Sequence, residues 1–113
     1  MAKMARKYTN LMISPQMRRW LSSNAEKHKL AESTLVELCL QWYISTGSNI
    51  GREVVKSQPP YDDHISLMLS ADIREWVEAE AIGMGVSIGE VIRIALDVAR
   101  WECPYLVKLE PTD

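Results

Sequence analysis

Sliding the chain against itself by 56 residues aligns positions 8–45 with 64–101 without a gap, and such self-similarity restricts the fold to one unit built twice. Identities fall at Leu11/Leu67, Met12/Met68, Ser14/Ser70, Arg18/Arg74, Trp20/Trp76, Ala25/Ala81 and Leu40/Leu96. Apolar matches such as Ile13/Leu69, Met17/Ile73, Leu21/Val77, Leu35/Val91 and Val36/Ile92 repeat the pattern of faces that would be buried.

Each unit opens with strict alternation, the period of a half-buried strand. Thr9, Leu11 and Ile13 point inward, as do Ile65, Leu67 and Leu69. Tyr8, Asn10, Met12, His64, Ser66 and Met68 point outward. Ser14-Pro15 and Ser70-Ala71 then stop the strand and start a first helix, with serine as N-cap and Pro15 where a missing N–H matters least.

The period changes to 3.6 in Met17, Trp20, Leu21, Ala25 and His28, and in Ile73, Trp76, Val77, Ala81 and Met84. Gly85 suits a left-handed helix end, and Ser87-Ile88-Gly89-Glu90 reads as a capping box that opens a second helix. That helix carries Val91, Ile92, Ala95, Leu96, Val98 and Ala99. In the first unit Lys29 and Ala31 stand in place of Gly85 and Ser87, so the turn is chemically poorer and Ser33 or Thr34 is expected to cap. Its second helix carries Leu35, Val36, Leu38, Cys39, Trp42 and Tyr43.

The expected organisation is one compact domain: a basic arm at 1–7, units at 8–45 and 64–101, a linker at 46–63 and an irregular tail at 102–113. The linker holds Gly47, Gly51 and Pro59-Pro60, with a helical turn expected at Arg52 to Lys56. Its eighteen residues reach up to about 60 Å when extended, enough to return the second strand beside the first. A strand and two helices in about 45 residues cannot bury both apolar faces alone, so each unit needs a partner of its own kind.

With these features the sequence resembles the ribbon-helix-helix family, the Arc and MetJ type of repressor. The most specific match is the run from Gly85 to Leu96, which looks like the family's turn into its second helix, and the resemblance spans 8–45 and 64–101. It implies a mainly α fold with a short β-ribbon: a tandem ribbon-helix-helix whose strands form a two-stranded antiparallel sheet in an intramolecular pseudo-dimer. It also implies that the ribbon enters the DNA major groove. Carried over position by position, the base-reading candidates are Tyr8, Asn10, Met12, His64, Ser66 and Met68. Asn10 is expected to bond a base edge bidentately, while the methionines pack on thymine methyls.

The family's phosphate anchor at the start of the second helix falls on Ser33-Thr34 and on Ser87-Ile88-Gly89. Lys3, Arg6 and Lys7 of the arm add candidate phosphate contacts. This ribbon departs from many relatives in carrying no Arg or Lys. Single-chain tandem forms resemble accessory proteins of conjugative relaxosomes and of T-DNA transfer, so the expected roles are transcriptional repressor or DNA-transfer accessory factor.

The net charge of −2 hides an asymmetry that bears on a DNA partner. Residues 1–45 hold seven Lys/Arg against three acids, a net of +4, and residues 46–113 hold six against twelve, a net of −6. The first half should supply most of the phosphate attraction. No apolar run approaches the roughly 20 residues of a membrane span, and Leu11 to Ile13 is too short for a secretory signal core, so a cytoplasmic location is expected.

Cys39 and Cys103 lack metal-ligand spacing, and with only His28 and His64 there is no zinc cluster. Cys39 reads as a core residue and Cys103 as a free thiol. No cofactor is expected, and no catalytic constellation is visible, so the chain reads as a non-enzyme. The Trp20/Trp76 pair reads as core packing, and His28 as a helix C-terminal residue interacting with the helix dipole. The competing expectation, motivated by the acidic second half and uncharged ribbon, is a protein-interaction module of antitoxin-like or anti-defence type. Further self-association through the second helices stays open.

Overall fold

The computed structural model describes residues 7–45 and 59–102. Most of the expected arm, the linker up to Gln58 and the tail from Cys103 lie outside them, as does the helical turn expected at Arg52 to Lys56. The elements run β1 (Lys7–Ile13), α1 (Pro15–His28), α2 (Glu32–Ser45), β2 (Asp63–Leu69), α3 (Ala71–Met84) and α4 (Ile88–Glu102). The protein is mainly helical, with one two-stranded antiparallel sheet made by β1 and β2.

The ladder pairs Tyr8 with Met68, Asn10 with Ser66 and Met12 with His64. Asn10 thus faces the residue that also corresponds to it in the repeat, and exchanging the two halves maps the ladder onto itself. Leu11, Ile13, Leu67 and Leu69 are fully buried or nearly so, as the alternation requires. A two-stranded ribbon is too small to stand alone, and here the helices cover its inner face. The second helices cross over: α2 packs on β2, α4 packs on β1, and α2 and α4 pack on each other. One hydrophobic core gathers residues from all six elements.

Local chemistry explains the helix boundaries. Ser14 Oγ accepts from the Met17 N–H at 3.1 Å and Ser70 Oγ from the Ile73 N–H at 3.4 Å, closing the starts of α1 and α3. Both helices end in the same Schellman arrangement: the N–H of Leu30 donates to Ala25 O and that of Val86 to Ala81 O. The left-handed residue is Gly85 at φ 71° in one turn and Lys29 at φ 58° in the other. Lysine therefore adopts the conformation that glycine takes at the equivalent position.

The start of α2 differs from the expectation. It begins at Glu32, Ala31 takes the N-cap position and its carbonyl accepts from Leu35 N–H, so neither Ser33 nor Thr34 caps it. The capping box of α4 is formed by half. Ser87 Oγ accepts from Glu90 N–H at 3.1 Å, but the Glu90 carboxylate turns to Arg93 at 2.9 Å.

Two residues expected on the apolar stripes, Met84 and Leu38, face outward instead. Met84 sits in the last turn of α3, and the exposed His28 closes the last turn of α1, the position the sequence assigns to it. On α2, Leu35, Val36, Cys39, Leu40 and Tyr43 share an arc of about 140° at 100° per residue, and Leu38 lies outside it. Leu40, the counterpart of Leu96, is fully buried within that arc.

The two tryptophans also part ways. Trp20 is fully buried, whereas Trp76 is half-buried and meets the Tyr43 ring edge-on at 6.0 Å. Burial first, and then the Glu80 carboxylate, push the Tyr43 hydroxyl above its ordinary range.

Candidate nucleic-acid interface

All six outward residues of the sheet lie on one face of the ribbon as three cross-strand pairs. Tyr8 is 69% exposed and Met12 43%; Asn10, His64 and Ser66 are exposed, and Met68 is half-buried. A small face presenting tyrosine and methionine to solvent has the composition of a contact surface rather than of a hydrated sheet. Ser66 Oγ donates to Asn10 Oδ1 at 3.2 Å, so the central pair is tied side chain to side chain. The amide of Asn10 is therefore already engaged on one of its acceptor lobes, which alters the bidentate contact anticipated for it.

Arginines brace the ribbon from beneath, one repeated in each first helix. Arg18 Nη1 on α1 donates to His64 O on β2 at 3.0 Å, and Arg74 Nη1 on α3 donates to Thr9 Oγ1 on β1. Each thus ties its own unit to the strand of the other. On α4, Arg93 Nη1 donates to Met12 O at 2.9 Å and its guanidinium lies 4.4 Å from the Tyr61 ring centre. Its α2 counterpart is Glu37, buried, whose carboxylate accepts from Ser70 N–H at 3.0 Å.

The two ends of the ribbon consequently differ. Two guanidiniums bond the carbonyls of the Met12–His64 pair. Near the Tyr8–Met68 pair stand Arg74, Glu37 and the Ser33 hydroxyl, which accepts from Met68 N–H at 3.1 Å. Each of these three arginines also has a carboxylate within 3.2 Å: Glu32 for Arg18, Glu78 for Arg74 and Glu90 for Arg93. Their charge is balanced locally by these carboxylates.

The candidate phosphate anchors are unequal. At the start of α2, Ser33 is bonded to the sheet, and Glu32 places a carboxylate in the first turn, where Arg18 and the Ser22 hydroxyl bind it. An anion approaching that helix end meets a negative group already seated on the dipole. Thr34 is exposed there. At the start of α4, Ser87 is exposed, Ile88 and Gly89 are half-buried, and a Cβ at Gly89 would meet Arg93 Nη1 at 3.5 Å and Ser87 Oγ at 3.9 Å. Lys7 begins β1, while Lys3 and Arg6 lie outside the described residues.

Sequence reasoning missed the bracing set. Arg18/Arg74 carried a signal, being one of the few polar identities in the repeat. Glu37 and Arg93 carried none, since opposite charges at equivalent positions read as unrelated surface residues.

Away from the ribbon, Ile82 is 83% exposed, with Met84 and Val86 beside it at the turn between α3 and α4. Together with Glu78, Ala81, Ser87 and Ile88, two of these residues, Ile82 and Val86, line a shallow groove of about 450 Å³. Among the described residues no cluster of His, Cys, Asp and Glu could hold a metal ion, and no helix is long and apolar enough to cross a membrane. Cys39 is buried. No protein-family model, no curated protein and no solved structure matches this chain.

Proposed function

We propose that this chain binds double-stranded DNA by laying the β1–β2 ribbon into the major groove. In this reading the two strand-helix-helix units act as a tandem ribbon-helix-helix, an intramolecular pseudo-dimer, serving as a transcriptional repressor or a DNA-transfer accessory factor. The observation that carries it is the ribbon face: six side chains in three facing pairs, on a two-stranded element of the size a roughly 12 Å groove admits. The crossed packing of α2 and α4 supports it, because it holds the ribbon from behind and leaves that face open.

Phosphate attraction falls to the basic first half, Lys3, Arg6 and Lys7 included, with the start of α4 as the better-formed helix anchor. Duplex DNA binding measured by anisotropy should weaken steeply as salt rises. Asn10→Ala combined with His64→Ala should lower specific affinity by tenfold or more, and an unchanged affinity would rule out readout by the ribbon.

A second reading has its own observation. The exposed Ile82, Met84 and Val86 beside the groove at the α3–α4 turn favour a protein partner there. Absence of any DNA shift at low salt, together with co-purification of a protein released by Ile82→Asp, would decide for that reading.

A further inference from the structure

We infer that the Asn10–Ser66 pair reads the orientation of a single base pair at the centre of the site, requiring a keto base on the Asn10 side and an amino base on the Ser66 side; this rests on the major-groove reading above. The two side chains are hydrogen-bonded to each other. Ser66 Oγ donates to Asn10 Oδ1 at 3.2 Å across the one ladder pair whose members are also counterparts in the repeat. That bond divides the remaining capacity unequally. Asn10 keeps both amide protons, whereas Ser66 has its only proton engaged and retains acceptor lone pairs. The two residues are thereby fixed as a donor beside an acceptor.

The major-groove edges sort cleanly against such a pair. Guanine offers O6 and N7 to the Asn10 amide protons, and its cytosine offers the N4 amino group to Ser66. Thymine offers O4 to Asn10, and its adenine offers the N6 amino group to Ser66, with one fewer contact. Cytosine beside Asn10 sets amino against amide protons, and the guanine opposite sets O6 against a Ser66 lone pair. Adenine beside Asn10 leaves thymine O4 facing that same lone pair. The order of preference on the Asn10 strand is therefore G, then T, with A and C rejected. A dimer of identical chains would place the same residue on both sides of this axis and could not distinguish the two orientations. Here the axis itself carries the asymmetry, which fixes the direction in which the protein lies on its site.

The test is selection of bound duplexes from a random-sequence pool with the full chain, followed by competition among the four central base pairs in the selected context. The expected result is a centre of G·C or T·A in one orientation relative to the flanks, favoured about tenfold over the reversed pairs. Ser66→Ala should abolish this preference and admit adenine beside Asn10, because the freed amide can then turn both its ends to that base. Asn10→Ala should leave the centre without preference, since Ser66 regains a proton it can donate. Both substitutions are at exposed positions, and circular dichroism would verify that they fold. A wild-type centre of adenine or cytosine on the Asn10 strand, or a preference unmoved by Ser66→Ala, overturns the inference while the DNA reading stands. No retention of any duplex at low salt overturns both.

Discussion

The two halves of this protein share a plan and solve it with different chemistry. The turn between α3 and α4 has glycine at its left-handed position and a serine hydroxyl capping the next helix. The turn between α1 and α2 reaches the same backbone path with Lys29 and has no side-chain cap at Ala31. The first half compensates inside: its Trp20 is fully buried where Trp76 is half-covered, and Asn24 Nδ2 is held by Trp20 O at 3.1 Å. The lesson is that packing can impose a turn whose local sequence disfavours it.

The largest effect that would sharpen this contrast is at the tryptophans. Trp20→Ala should destabilise by about 4 kcal/mol and Trp76→Ala by about half as much in denaturant unfolding, the difference following their burial. Equal losses would show that the two halves bury their first helices alike. Next, Glu37→Ala should lower stability by about 2 kcal/mol, because it removes the charged acceptor of the half-buried Ser70 N–H.

The turns themselves come third. Lys29→Gly should stabilise and Gly85→Lys destabilise by about 1 kcal/mol each, since only a non-glycine residue is strained at positive φ. Ser87→Ala should cost about 1 kcal/mol, and Ala31→Ser should recover part of that amount in the other turn. If Lys29→Gly has no effect, the poorer turn is not strained.

The smallest effect concerns Tyr43, whose counterpart is Ala99. Its hydroxyl is held neutral by burial, so its contribution is complete below the ordinary tyrosine value of about 10 and is lost as pH climbs through its raised folded value. Tyr43→Phe should flatten the alkaline end of a stability–pH profile.

Much of the fold was legible because its signals are periodic. Alternation separated Leu11 and Leu67 from Asn10 and Ser66, and Ser14 and Ser70 marked the helix starts. The failures lie where one residue type can serve two settings. Leu38 and Leu40 are both leucines on α2, and only Leu40 falls within the buried arc set by Leu35, Val36 and Cys39. Ser33 was expected to cap, yet its hydroxyl lies against a strand that joins it only in three dimensions. The ribbon face was readable for the same reason as the strands; its internal bond between Asn10 and Ser66 was not, because it depends on register across 56 residues.

The crossing of α2 onto β2 and of α4 onto β1 has a consequence for behaviour on dilution. Strands that meet within one chain experience a local concentration set by their tether and not by the amount of protein in solution. The unfolding midpoint of this chain should therefore stay constant across a thousandfold range of protein concentration, where a noncovalent pair of half-length chains would come apart. Each half can then accumulate changes the other does not share, since the strand it pairs with lies in the same chain.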